Sequence, residues 1–174
     1  MKTPFQHSYR IADNKDVGAI FELYKLVSKE KGGLARTSDE ITLEYVENFC
    51  KNAAATGVQL ILEDQNSGRV LGEIHTYRLV PKVFHHILSE LTIAVHPSFQ
   101  GQGIGRILFE GLLQKVQTEH PEILRIELIA RESNHKAITF YQTLGFEIEG
   151  KLRNRIKADT GILEADIPMA WLRK

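Results

Sequence analysis

The chain has 174 residues, 43% of them hydrophobic, which suffices for one domain with a sizeable core and calls for no second one. Its 22 Lys and Arg balance 22 Asp and Glu, so it lacks the basic field that draws proteins to nucleic acid or anionic lipid. The one cysteine, Cys50, cannot close an internal disulfide, and neither a charged-then-apolar leader nor an apolar run of membrane-spanning length appears, so a cytoplasmic protein is expected.

In chain order, the hydrophobic period switches repeatedly between two and 3.6. Residues 8 to 12 read as a first strand. Asp13 or Asn14 then caps a helix with Val17, Ile20, Phe21, Tyr24 and Val27 on its apolar face, ended by Gly32-Gly33. Thr37 or Ser38 offers the cap of a second helix that buries Leu43, Val46, Phe49 and Cys50 and runs to about Ala55. Residues 58 to 64 and 69 to 79 are strand-like, joined through the turn residues Gln65-Asn66-Ser67-Gly68. After Pro81, residues 87 to 95 form another strand. A glycine-rich turn leads into a third helix, with Ile104, Leu108, Leu112 and Val116 in one row and Ile107, Phe109 and Leu113 beside it, and Pro121 closes that region. Residues 123 to 130 alternate as a strand. Ser133 or Asn134 caps a last helix to about Leu144, Gly145 terminates it, and residues 146 to 151 and 162 to 172 supply two final strands.

The turn is the most informative stretch. Val95-His-Pro-Ser-Phe-Gln100-Gly101-Gln102-Gly103-Ile104-Gly105-Arg106 runs from a strand through glycines into a helix. Unpaired N–H groups and the helix dipole favour a phosphate there, and glycines let the backbone approach it. A dinucleotide fingerprint starting at Gly101 and Gly103 would need a third glycine where Arg106 stands. The triphosphate loop needs a Lys-Ser or Lys-Thr pair, which this turn lacks. What remains, Gln100-x-x-Gly103-x-Gly105, resembles the pyrophosphate loop [QR]-x-x-G-x-[GA] of the GCN5-related N-acetyltransferase (GNAT) family.

A second segment, Asn134 to Gly150, is similar to that family's N-x-x-A-x-x-[FL]-Y-x-x-x-G-F-x-x-x-G pattern, and every specified position is met. The element order matches the family layout over nearly the whole chain. The resemblance implies an α/β (α+β) acyl-CoA N-acyltransferase fold over residues 1–174, a mixed central sheet of about seven strands with helices on both faces. It also implies acetyl-CoA as cosubstrate and direct acetyl transfer to a primary amine. The tail Gly150-x-x-Arg153-Asn154, Asp159-Thr160-Gly161 and Asp166 resembles members acting on amino acids, other small amines or protein N-termini.

The same resemblance assigns roles to residues. Gln100, Gly101, Gln102, Gly103, Ile104, Gly105 and Arg106 take the pyrophosphate. If the strands at 87 to 95 and 123 to 130 run parallel and splay, as the family implies, the backbone of Ile93 and Val95 pairs with the pantetheine arm as a pseudo-strand. Asn134, Ala137, Phe140 and Tyr141 bring the last helix to the cofactor, its i, i+3, i+7 spacing setting Asn134, Ala137 and Tyr141 on one face. Tyr141 is the acid that protonates the departing thiolate, since an ordinary phenol stays protonated at neutral pH; a core tyrosine beside Phe140 is the competing reading. For the base, Glu90 opens the strand leading to the turn and shares a face with Thr92 and Ala94. Glu73 and His75 on the preceding strand compete with it, as does a water chain.

Other residues carry less. The seven histidines show no metal-ligand spacing, so no metal is expected. Cys50 reads as a small core residue, Ser98 and Ser133 lack a nucleophile-elbow context, and Arg153, Arg155 and Lys157 read as a solvated loop. The acceptor is expected to be a small-molecule or peptide amine, met by the first two helices, the connection from Gly33 to Ser38, and the loops near Val80 to His86 and Arg153 to Gly161. An edge at the final strand suggests a homodimer. An acyl-CoA sensor without turnover is the alternative function.

Overall fold

The computed structural model describes residues 7–30, 34–158 and 161–174. The strands are β1 (His7–Ile11), β2 (Gly57–Asp64), β3 (Val70–Arg78), β4 (Ile87–Val95), β5 (Arg125–Arg131), β6 (Glu147–Ile148), β7 (Leu152–Lys157) and β8 (Leu163–Leu172). The helices are α1 (Val17–Val27), α2 (Leu43–Thr56), α3 (Ile104–Glu119) and α4 (His135–Thr143). The strand order is β1-β2-β3-β4-β5-β8-β6, with β7 also paired to β8. β7 takes the count past the sequence expectation, because Leu-Arg-Asn-Arg-Ile-Lys is exposed at all but Ile156 and shows no apolar alternation. The expected helix stop at Gly32-Gly33 and the pair Asp159-Thr160 lie outside the described residues.

Contacts divide the chain into two compact units, Met1–Tyr77 with Thr92–Glu119, and Arg78–Leu91 with His120–Lys174. In the first, β1 and β3 flank β2 antiparallel, with Tyr9 opposite Leu62 and Leu60 opposite Ile74. The β2–β3 turn follows its residue chemistry. Asp64 accepts from the Asn66 N–H and the Ser67 hydroxyl, and Gly68 adopts φ 67°. The Asp13 side chain and Asp16 form a capping box around a short 3-10 turn, after which α1 buries Ile20, Leu23, Tyr24 and Val27.

α2 starts later than expected. Thr37 donates to Glu40 through both its N–H (2.8 Å) and its hydroxyl (2.9 Å), a closed local turn that imitates a cap without propagating. The actual cap is Thr42, whose hydroxyl accepts from the Tyr45 N–H at 3.1 Å. Leu43 is accordingly exposed, and Val46, Phe49, Cys50 and Ala53 face the core. A Cβ on Gly72 would stand 2.8 Å from both Ile104 and Leu108, so its bareness lets α3 lie close on β3. Its neighbour Glu73 points the other way, to Tyr24 of α1, so helices cover both faces here.

In the second unit, the start of β4 runs parallel to β5 through Ile87 opposite Arg125 and Leu88 opposite Ile126. β5 then pairs antiparallel with β8 over seven positions, from Arg125–Leu172 to Arg131–Asp166. β8 is not the open edge expected from the sequence: β5 holds one side, while β6 and β7 pair with the other. Asn134 rather than Ser133 caps α4, accepting from the Ala137 N–H at 3.1 Å. Gly145 ends α4 at φ 91°, its missing Cβ leaving room beside the Trp171 indole.

Candidate active site

In the first unit, β4 ends at Val95 and α3 begins at Ile104, and the connection is shaped by its own residues. Gly101 and Gly103 hold φ 74° and 87°, conformations that favour glycine, and a Cβ at either would meet nothing within 4 Å. The space beside the turn is therefore open. Ile107 N–H donates to the Gly103 carbonyl at 3.1 Å, so the N–H groups ahead of it in α3 point out of the helix end. Side chains brace the loop: Gln100 donates to the Val95 carbonyl (3.2 Å) and Gln102 to the Ser98 carbonyl (3.1 Å). Ile104 buries its side chain, leaving only backbone for a ligand, and Arg106 donates to Glu110 at 3.1 Å. Gly105 comes within 3.8 Å of Ile93 in Cβ terms. A phosphate group thus fits the residues of the turn.

His96 anchors this connection. Its Nδ1 accepts from the Ser98 N–H at 3.2 Å, its Nε2 lies 2.6 Å from the Arg69 guanidinium, and burial followed by Arg69 lowers its pKa. Sequence reading did not single it out.

The same unit holds a buried polar network. Tyr24 donates from its hydroxyl to Glu73 (2.6 Å), Gln59 donates from Nε2 to the other Glu73 oxygen (2.8 Å), and His75 Nδ1 sits 3.0 Å from Glu73. Gln59 also reaches Cys50 Sγ at 3.3 Å. Burial pushes the Cys50 thiol up to about 11 and, with Glu73 beside it, lifts the Tyr24 phenol well above its usual range. The pairing of Glu73 and His75 on one face was legible as alternation. Tyr24 and Gln59 were missed, since the first reads as helix apolar face and the second as strand filler.

In the second unit, Glu90 is exposed and adopts φ 55°, a left-handed conformation rare for glutamate. Strict alternation is broken there, with Ile87 and Leu88 both buried, so the face expected to hold Glu90, Thr92 and Ala94 together is assured only for the last two. On α4, Ala137, Phe140 and Tyr141 are half-buried and Asn134 is exposed, its carbonyl oxygen spent on the cap. Tyr141 packs against Phe140 and Phe146 at centroid distances of 5.7 and 6.2 Å, and burial lifts its phenol to about 12. Arg155 pairs with Asp166 at 3.1 Å, fastening β7 to β8.

Among the described residues no group of three His, Cys, Asp or Glu could hold a metal. A cleft of about 340 Å³ in the first unit, lined by Tyr9, Ile11, Gln114 and Thr118, lies away from the turn.

Residues 19–146 match the Acetyltransferase (GNAT) family profile. Ribosomal protein bS18 alanine N-acetyltransferase of Escherichia coli is 38% identical over 87 residues, 48% of this chain and 57% of that protein. The Salmonella typhimurium counterpart is 43% identical over 63 residues, 34% of this chain and 41% of its own length. The chain thus spans about half the length of the curated relatives it matches. Among solved structures, a Streptococcus pneumoniae GNAT acetyltransferase superposes with TM-score 0.85 at 23% identity, covering 97% of this chain and 100% of that one. Structure yncA of Salmonella typhimurium, solved with its cofactor acetyl-CoA, gives TM-score 0.81 at 19% identity over 95% of this chain and 93% of its own. With a profile match over most of its length and the glycine turn and α4 in the expected order, the chain belongs to the GNAT acetyltransferase family.

Proposed function

We propose that the chain is an acetyl-CoA-dependent N-acetyltransferase that moves the acetyl group directly to a primary amine of a small molecule, such as an amino acid, or of a peptide. The observation that carries this reading is the open turn at Gly101 and Gly103 ahead of α3. In it, the first-turn N–H groups of α3 hold the pyrophosphate, and the backbone of Ile93 and Val95 pairs with the pantetheine amides. Gln100 yields the Val95 carbonyl it now occupies. Acetyl-CoA supplies an acyl thioester open to attack by a neutral amine.

Tyr141 is the group that gives its proton to sulfur. Its phenol, lifted to about 12, is fully protonated at neutral pH. The amine's proton goes either to Glu90 at the break in β4 or to the Glu73–His75 pair. Relatives named for acetylating an alanine of a ribosomal protein favour a peptide N-terminus among the acceptors.

Thermal-shift and thiol-release assays with acetyl-CoA and a panel of amines test the function. Stabilisation by acetyl-CoA with thiol release on an alanine-ended peptide, an amino acid or a polyamine is expected. Stabilisation without release across the panel would make the protein a sensor. Gly103→Glu should abolish the stabilisation by filling and charging the cradle. Tyr141→Phe should lower kcat about 100-fold with little change in acetyl-CoA affinity, and wild-type turnover in that variant would remove Tyr141 from the mechanism.

A further inference from the structure

Glu73 and His75 stand two residues apart on β3, so they share a face, and their side chains are 0% and 2% exposed. A carboxylate this far from water needs donors, and it has three: the Tyr24 hydroxyl, the Gln59 amide and His75 Nδ1. Among the described residues no Lys or Arg pairs with it. Each hydrogen bond of the His75 ring found among those residues runs through Nδ1, so the proton given to Glu73 leaves Nε2 as the basic nitrogen. The ring is held in place by Phe49, stacked at 4.0 Å and 10°, and by Tyr77 at 6.1 Å and 6°. A carboxylate that fixes the tautomer and orientation of an imidazole is the arrangement of an oriented base.

The strand across from this pair is the one assigned to pantetheine. His96 N–H donates to the Leu71 carbonyl at 2.8 Å, so the end of β4 meets the start of β3. An antiparallel pair continued back from that bond without a bulge would set Ala94 across from Glu73 and Thr92 across from His75. Ala94 lies in the same core cluster as Tyr24, Phe49 and Cys50, which fits that register. Thr92 is half-buried, and a threonine hydroxyl both accepts and donates a proton.

We propose that the Glu73–His75 pair takes up the proton released by the acceptor amine, reached through the Thr92 hydroxyl; the inference rests on the acetyltransferase reading. An N–H bond of the ammonium breaks, its proton passes by way of Thr92 to His75 Nε2, and Glu73 stabilises the imidazolium. The freed lone pair then forms the C–N bond as the C–S bond breaks. Tyr141 gives its proton to sulfur and is restored by the second amine proton, and His75 returns its own to solvent. Around His75 lie Tyr24 from α1, Phe49 from α2, and Glu73 and Tyr77 from β3, with Gln59 and Cys50 linked to the pair one and two hydrogen bonds further out. His75 and Glu73 are positioning residues in this scheme, since neither reaches the amine itself.

The test is the pH–rate profile for thiol release with an alanine-ended peptide and a polyamine as probes, alongside acetyl-CoA affinity. His75→Asn and Glu73→Gln should lower kcat/KM about 100-fold at neutral pH and displace the acidic limb, with acetyl-CoA affinity unchanged. Thr92→Val should act in the same direction and keeps the falsification open if a core variant does not fold. In ¹⁵N-histidine spectra of the wild-type protein, the neutral His75 ring should carry its proton on Nδ1. Wild-type profiles in His75→Asn and Thr92→Val, or an Nε2–H neutral ring, would overturn the pair while leaving the acetyltransferase intact. No turnover of any amine by the wild-type protein would sink the acetyltransferase reading and this inference with it.

Discussion

Single residues in this chain are legible when their chemistry is local and opaque when a tertiary partner decides it. Cys50 reads as core in the sequence and is core in the structure; with its thiol raised to about 11, alkylation by iodoacetamide at pH 7.5 should be slow in the folded protein and fast in urea. Asp16 is a different case. The Arg10 guanidinium holds its carboxyl below the usual carboxylate range, at 2.7 and 2.8 Å, and Asp16 also accepts from the Asp13 N–H. A depressed folded pKa contributes stability that is complete above the unfolded value and lost as pH falls through the folded one. Asp16→Asn should therefore cost about 1 kcal/mol at pH 7, discounted because Arg10 is 41% exposed, with the deficit shrinking below about pH 4 in urea titrations. Nothing in the spacing of Arg10 and Asp16 announces that pair, because they meet only once β1 turns into α1.

At the scale of elements, periodicity located each α-helix and all strands but β7 among the described residues, and the boundary of β4 matched residue for residue. The misplacement of α2 has a physical source, since Thr37 to Glu40 satisfies the same hydrogen-bond pattern as a helix start. Thr42→Ala should accordingly cost about 1 kcal/mol in chemical denaturation, and Thr37→Ala clearly less. Gly72 separates α3 from β3, and a methyl there must displace Ile104 and Leu108. Gly72→Ala should destabilise by about 1 to 3 kcal/mol, and an unchanged midpoint would mean that α3 shifts freely. The two glycines of the phosphate turn were readable because their pattern is contiguous. The Tyr24–Gln59–Glu73–His75 network was half-readable because it draws on three elements brought together only by folding.

For the whole molecule, equal numbers of acidic and basic residues leave no net charge to set up a long-range field. Solubility should pass through a minimum near neutral pH and rise on either side, measurable by precipitation at fixed salt. Family membership was legible from two short patterns, whereas no periodic or motif rule in the sequence names an acceptor. One backbone angle bears on how this protein would drift under laboratory evolution. Glu90 keeps a left-handed conformation that glycine adopts at roughly 1 to 2 kcal/mol less strain. A population selected only for heat tolerance would therefore be drawn to Gly or Asn at this position.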